Sequence, residues 1–178
     1  MTLPLAAGLA SLLSFVAFGL IAAWYVAPAL KTLARADALI ALIWVQAFRH
    51  IALQIYSAQK FGLAVSDGVR DQIAAGDVVG MMLAVAALLA LRYRASLSIG
   101  LSWLLAAETL YDLAHSTVAG AGERLFETAS GVTWMILTFY VPALWISLAL
   151  IVGQLVLRRN EPLSEAPDGA HRLARRDA

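Results

Sequence analysis

Two hydrophobic stretches of this sequence carry polar and ionisable side chains at helical spacing. In the stretch 101–119, Glu108, Asp112 and His115 follow one another at i, i+4 and i+7. At 3.6 residues per turn these three side chains lie on one face of a helix. Ionisable groups inside a membrane segment are costly, and they usually face the interior of a helix bundle. The stretch therefore predicts a polar site held between helices.

The stretch 38–57 carries the second polar face. Its members are Gln46, Arg49, His50 and Gln54. Arg49 and Glu108 each lie about eleven residues into their helix, near mid-bilayer at a rise of about 1.5 Å per residue. A lone charge at that depth costs about 2.5–3.5 kcal/mol on insertion scales. We therefore expect Arg49 and Glu108 to form an ion pair, with Gln46 as a neighbouring hydrogen-bond donor.

Charge balance makes this cluster a candidate site for a proton or a small cation. One arginine faces two carboxylates, and we expect Asp112 to lie one turn further out, level with Gln54. Full ionisation leaves one excess negative charge, which a proton on Asp112, a protonated His50 or His115, or a bound cation would relieve. Tyr111 is a further candidate for a hydrogen bond to the cluster. The pattern favours proton- or cation-linked membrane transport.

Other interpretations stay open. Buried polar side chains also hold helices together, at about 0.6 kcal/mol each in one measured case, and the protein would then be an accessory subunit of a larger membrane complex. The same carboxylates and histidines are ligand types for a mononuclear metal site, although the second Asp-x-x-His pair of a di-iron bundle is absent. Haem between His50 and His115 would have to overcome an axial offset of about 9 Å.

The composition places these residues in a membrane protein whose surroundings are the lipid bilayer. Of the 178 residues, 61% are hydrophobic and only 14% are charged, whereas soluble domains carry about 25% charged residues. The absence of cysteine excludes disulfides and thiolate metal sites. Phosphate-binding loops, nucleophile elbows and nucleic-acid-binding motifs are also absent from the sequence, so we expect no nucleic-acid partner.

Five hydrophobic stretches predict helices that cross the membrane. We expect an all-α, five-transmembrane-helix bundle over residues 1–159, followed by a disordered cytoplasmic tail over 160–178. The predicted spans are about 3–30, 38–57, 78–91, 97–118 and 132–157. We expect Pro28 to help end the first span and Pro142 to kink the fifth.

Polar residues mark the expected helix boundaries. Asp37 is the candidate N-cap of the second helix, and Asp77 is the candidate N-cap of the third. Between these helices, Ser66 or the residue after it would cap a short helix at the membrane interface. We expect Val69 and Ile73 of that short helix to face lipid.

The basic residues predict the orientation of the bundle. With five spans, nine lysines and arginines fall on one side of the membrane and three on the other. Basic residues concentrate on the cytoplasmic side, so we expect the N-terminus outside and the C-terminus in the cytoplasm. The excess of arginine over lysine favours a bacterial source, and hence the inner membrane. Five helices leave little room for a solute path, so transport would require a homo-oligomer.

Overall fold

The computed structural model describes residues 2–163, and the regular elements in that range are all helical, which confirms the all-α prediction. The helices are α1 Leu3–Thr32, α2 Arg35–Lys60, α3 Asp67–Arg92, α4 Ser98–Gly122, the single turn α5 Leu125–Thr128, and α6 Gly131–Leu157. Four of them, α1, α2, α3 and α6, are long and apolar enough to cross a membrane. α4 is of similar length, but the polar residues of the predicted site lower its hydropathy.

The third helix is longer than the sequence predicts. The Ser66 hydroxyl caps it, as expected, by accepting a hydrogen bond from the Val69 N–H at 3.4 Å. The helix then continues without a break to Arg92. Asp77 is therefore a buried residue inside α3 and not the N-cap of a separate span. A cationic partner, described below, allows this carboxylate to leave the water-exposed end of a helix.

The first half of α3 packs against protein and not against lipid. Val69 and Ile73, which we expected to face lipid, lie against a small apolar cluster. The buried members of that cluster are Ile55, Leu63, Val65, Ala74 and Leu125. The prediction of an interfacial helix is wrong because these residues from α2, the following loop and α5 cover its apolar face.

The second helix begins before its predicted cap. Arg35 is its first residue, Ala34 occupies the N-cap position, and no side chain caps it. Asp37 lies in the first turn, where it pairs with Arg94 at 3.2 Å. Asp37 is thus not the N-cap, although its carboxylate still lies near the positive end of the helix dipole.

The helices α1 and α6 each contain a proline, and a local change from α-helical to π-helical geometry accommodates it. A π-helical turn precedes each one, Ala22–Val26 before Pro28 and Ile136–Tyr140 before Pro142. Proline lacks an N–H and its ring clashes with the preceding turn, so a wider turn relieves the conflict. Pro28 consequently does not end α1.

Two buried arginines join the ends of α1, α2 and α6. Arg158 donates hydrogen bonds to the carbonyl oxygens of Leu30 at 3.1 Å and Leu33 at 2.9 Å. Arg35 donates to the carbonyl oxygen of Leu155 at 3.2 Å. The last carbonyls of a helix have no partner within it, and guanidinium groups supply the missing donors. These two arginines are therefore structural caps as well as basic residues that could orient the chain.

The chain beyond α6 folds back over this junction. The carbonyl oxygen of Leu163 accepts hydrogen bonds from the Ala36 N–H at 3.3 Å and from Arg94 Nη1 at 2.8 Å. The predicted tail of residues 160–178 therefore makes defined contacts in its first four residues. Residues 164–178 lie outside the described part of the chain.

We expect the substitution Arg158→Ala to lower the free energy of unfolding by about 1.5–3 kcal/mol, the range for hydrogen bonds that involve a charged group. Thermal unfolding of the detergent-solubilised protein measures this change. The control is Arg159→Ala, because the adjacent Arg159 side chain is exposed and should contribute little. Equal melting temperatures for the two variants would contradict a capping role for Arg158.

Candidate functional site: a buried charge cluster

Arg49 is the centre of a charge cluster between α2, α3 and α4. Its side chain is completely buried, with an exposed fraction of 0%. It lies where α2 tightens from an α-helix into the 3₁₀ helix Phe48–Leu53. That stretch contains neither glycine nor proline, and it packs against α3. Tight winding inside a long helix often marks a hinge or local strain, and here it presents the arginine to α3 and α4.

The Arg49 guanidinium contacts three carboxylates. Its Nε–H donates to Asp77 Oδ1 at 2.9 Å, and its Nη1 donates to Glu108 Oε2 at 2.9 Å. Its Nη2 donates to Asp112 Oδ2 in the shortest contact of the cluster. Nη1 also donates to Thr109 Oγ1 at 3.2 Å. The predicted ion pair between Arg49 and Glu108 is therefore present, as one part of a larger network.

The three helices bring their charges to a common depth in the bundle. Arg49 and Asp112 each lie about 14 residues after the start of their helix, and Asp77 lies about 15 residues before the end of α3, which corresponds to about 21–23 Å. The expectation that Asp112 lies one turn further out than the arginine is wrong. The guanidinium is broad enough to reach carboxylates from successive turns of α4.

Two glycines of α3 permit this close approach. A Cβ atom at Gly76 would lie only 2.6 Å from Asp112 Cγ, and one at Gly80 would overlap the Arg49 guanidinium. Gly80 belongs to a face of small residues that continues with Ala84 and Ala87, and small residues let helices approach closely. Gly76 and Gly80 are one turn apart, so together they form a notch that the carboxylate and the guanidinium occupy.

The two glutamines of the predicted site lie outside the cluster. Gln46 donates from Nε2 to Ser147 Oγ at 2.7 Å, and its Oε1 is buried without a partner among the described residues. Gln54 donates to Thr133 Oγ1 at 3.0 Å. Both glutamines therefore connect α2 to α6. We predicted that Gln46 supports the ion pair, but it bonds to α6 instead. We also predicted that Gln54 lies level with Asp112 in the cluster, but Gln54 bonds to Thr133 of α6.

The histidines and Tyr111 also point away from Arg49. His50 is exposed, with Nδ1 3.3 Å from the carbonyl oxygen of Ala47, because the tighter 3₁₀ winding turns neighbouring side chains further apart. His115 is exposed too and stacks against the Tyr111 ring, with 5.5 Å between centroids. The buried face of α4 is centred on Thr109 and its neighbours, so His115 lies beyond its edge.

This arrangement bears on the metal and haem interpretations. Within residues 2–163, no group of three or more His, Asp or Glu side chains is placed to hold a metal ion. The carboxylates surround a guanidinium, and His50 and His115 are both exposed. The mononuclear site that the sequence left open is therefore not formed by these side chains in the described range.

A cavity of about 210 Å³ lies beside the cluster. Residues from all six helices line it, and most of the lining is apolar. The charged residues among those that line it are Asp77 and Asp112, with no lysine, arginine or histidine in the described lining. These two carboxylates separate the cavity from the guanidinium of Arg49.

Asp77 is the cluster member that the sequence pattern does not identify. It stands where the sequence of α3 changes from polar to apolar residues, and an acidic residue just before an apolar stretch is typical of a helix N-cap. A different signal was available in the same stretch, because Gly76 and Gly80 flank the carboxylate within a helix-forming run. Small residues one turn apart indicate a close helix contact, and an acidic residue within such a contact needs a cationic partner when it is buried.

Comparison with known proteins identifies a family but no characterised relative. A family model described as "Domain of unknown function (DUF8737)" matches residues 6–156, a range that reaches from α1 into α6 and contains the whole charge cluster. No curated protein matches the chain, and no solved structure matches it.

We expect Gly76→Ala to lower the free energy of unfolding by about 1–3 kcal/mol, because the added methyl group overpacks the contact with Asp112. Gly153→Ala in α6 is the matched control. A Cβ atom there meets nothing within 4 Å, so this variant should be neutral or more stable by about 0.5–1 kcal/mol. Thermal unfolding in detergent measures both. Equal stability of the two variants would show that α3 does not need this close approach.

Proposed function

The chain belongs to the DUF8737 family of unknown function, and we propose that it is a proton-linked membrane transport protein that works through the Arg49 cluster. One observation carries the proposal: a single buried guanidinium contacts three carboxylates, those of Asp77, Glu108 and Asp112. If all three are ionised, two negative charges are in excess inside an apolar helix bundle. This excess is larger than the sequence alone indicates.

A proton is the species that best relieves this excess charge. Protonation of a carboxylate removes a buried charge without requiring new space. The guanidinium of Arg49 already occupies the position between the three carboxylates, where a metal ion would have to bind. We therefore favour proton exchange at Asp77 and Asp112, which line the cavity, over binding of a small metal cation within the cluster.

The same contacts give the proton a way to act on the helices. α2 supplies the guanidinium, α3 supplies Asp77, and α4 supplies Glu108 and Asp112. Protonation of Asp77 would weaken the attachment of α3 to α2, whereas protonation of Asp112 would weaken the attachment of α4. The 3₁₀ stretch of α2 provides a place where such a change could alter the winding.

For the membrane arrangement, we propose five spans with α4 as the fourth. α4 packs along α3, and its Asp112 meets Arg49 at the depth of Asp77, which supports a crossing of the same layer. Basic residues cluster at one end of the bundle. They include Arg35, Arg92, Arg94, Arg158 and Arg159. By the positive-inside rule this end is cytoplasmic, in a bacterial inner membrane, with the N-terminus outside.

We expect an exchangeable carboxyl proton in the cluster. Infrared difference spectra of the protein in liposomes, recorded as the pH is varied, should show a carboxylic-acid C=O band. That band should weaken in Asp77→Asn and in Asp112→Asn. The substitution Asp71→Asn is the control, because Asp71 also pairs with an arginine, Arg70 at 2.6 Å, but its side chain is 55% exposed.

The transport step has its own measurement. Proteoliposomes that contain a pH-sensitive dye should take up protons when a membrane potential is applied, and Asp112→Asn should reduce this uptake by at least about tenfold if the carboxylate carries the proton. The Asp71→Asn variant should behave like the unmodified protein. A spectrum without a pH-dependent carboxyl band, together with equal uptake in all three proteins, would refute the proposal.

A specific observation favours a second function, that of a subunit in an assembly. Tyr111 is 69% exposed, and it stacks against the exposed His115 on the outer face of α4. Polar groups that face lipid at this depth are costly, and a second copy of the chain or another membrane subunit would cover them. The cluster would then fix the shape of the subunit, and a homo-oligomer would also provide room for a transport path.

We expect the double substitution Tyr111→Leu with His115→Leu to reduce the mass of the detergent-solubilised assembly, measured by light scattering after gentle extraction. Tyr25→Leu is the matched control, because Tyr25 on α1 is also 69% exposed. A monomeric mass for the unmodified protein, or an assembly that the double variant leaves intact, would argue against this interface.

A further inference from the structure

The cavity beside the cluster has the size and surface of a binding site for one small molecule. Its walls include the aromatic rings of Phe15 and Trp145 and the aliphatic side chains of Leu113 and Leu137. An apolar cavity of about 150 Å³ is large enough to bind benzene. The cavity of about 210 Å³ can therefore hold an aromatic ring with a short attached chain.

The charged part of the wall is entirely acidic among the described lining residues. Asp77 is only 9% exposed, and its Oδ1 accepts the bond from Arg49 at 2.9 Å. No described residue donates a hydrogen bond to its Oδ2. On the neighbouring helix, Asp112 Oδ1 accepts only a long bond, at 3.3 Å, from Ser116 among the described residues. Each carboxylate thus uses one oxygen for the guanidinium. The other oxygen of Asp112 lies against Gly76 and bonds to Ser116, whereas Oδ2 of Asp77, a residue that lines the cavity, has no donor among the described residues.

These observations select one class of ligand. A carboxylate oxygen beside apolar walls gains from a hydrogen-bond donor, and an N⁺–H group forms strong, short bonds with it. An anion would be repelled by both carboxylates. A metal ion would have to exchange most of its water for apolar walls. A neutral apolar molecule would fill the space but leave the oxygens without donors.

We infer that this cavity binds a small hydrophobic ammonium compound, with its apolar group against Phe15 and Trp145 and its N⁺–H group at Asp77 and Asp112. The inference rests on the proposed proton exchange and names the substrate class for it. The ammonium group and the carboxyl proton satisfy the same oxygens, so each displaces the other. A proton that enters from one side of the membrane would release the ammonium compound to that same side. The protein would then move protons and the ammonium compound in opposite directions.

The first test compares two probes of nearly the same shape, 2-phenylethylammonium and 2-phenylethanol. Isothermal titration calorimetry on the full chain in detergent should show that the ammonium binds at least about tenfold more tightly, as expected for charge-assisted hydrogen bonds. The affinity for the ammonium should fall as the pH is lowered, because protons compete for the same oxygens. Equal affinities for the two probes, or an affinity that does not change with pH, would overturn the inference.

Three variants locate the binding. Asp77→Asn should lower the affinity for 2-phenylethylammonium at least about tenfold and leave the affinity for 2-phenylethanol unchanged. Ser11→Phe should lower the affinity for both probes, because the larger side chain would fill part of the cavity. Ser11 lines the cavity from α1 and does not contact the cluster. Asp71→Asn should change neither. If Asp77→Asn does not fold, the probe comparison and Ser11→Phe still decide the matter, since binding that survives a filled cavity would overturn the inference.

The infrared titration separates this inference from the proposed function. A pH-dependent carboxyl band without ammonium binding would overturn the substrate class and leave proton exchange intact. The absence of both would overturn the two proposals together. With both present, addition of 2-phenylethylammonium should reduce the band, and a band that the ammonium does not change would overturn competition at Asp77 and Asp112.

Discussion

One buried guanidinium holds the central helices of this protein together. Four hydrogen bonds leave Arg49, three to carboxylates and one to a hydroxyl. A charge in an apolar bundle is costly unless it is paired and hydrogen-bonded, so α2, α3 and α4 are constrained to meet where those partners are available. The notch at Gly76 and Gly80 follows from the same requirement, because larger residues there would occupy the space of the carboxylate and the guanidinium.

The sequence predicts the ion pair of Arg49 and Glu108 from three quantities. These are the charges of the two residues, their depth in the bilayer, and the free-energy cost of burying a lone charge. The sequence does not predict Asp77, since a carboxylate between a polar and an apolar half is equally compatible with a helix cap. Whether Asp77 caps a helix or is buried inside one depends on Arg49, which lies on a different helix. Periodicity also places His115 on one face with Glu108, but it does not tell how far around α4 the buried face extends.

The ends of the helices show a similar limit. The basic residues Arg35 and Arg158 are identified from the sequence as orientation signals, which requires only that they lie at the same end of the bundle. Their burial and their bonds to the carbonyl oxygens of Leu30, Leu33 and Leu155 depend on how α1, α2 and α6 meet. The all-α class is predictable from the length of the hydrophobic stretches. The number of spans is harder to predict at α4, because the polar residues that form the cluster also lower the hydropathy of this helix.

The geometry of the carboxylates connects the packing of the helices to the cavity. Asp77 and Asp112 each direct one oxygen to Arg49, and each also lines the cavity. A group that binds on the cavity side would change the electrostatic surroundings of the same carboxylate that holds a helix. Because Asp77 and Asp112 belong both to the contact between the helices and to the cavity wall, an occupant of the cavity would act directly on the attachment of α3 and α4 to α2.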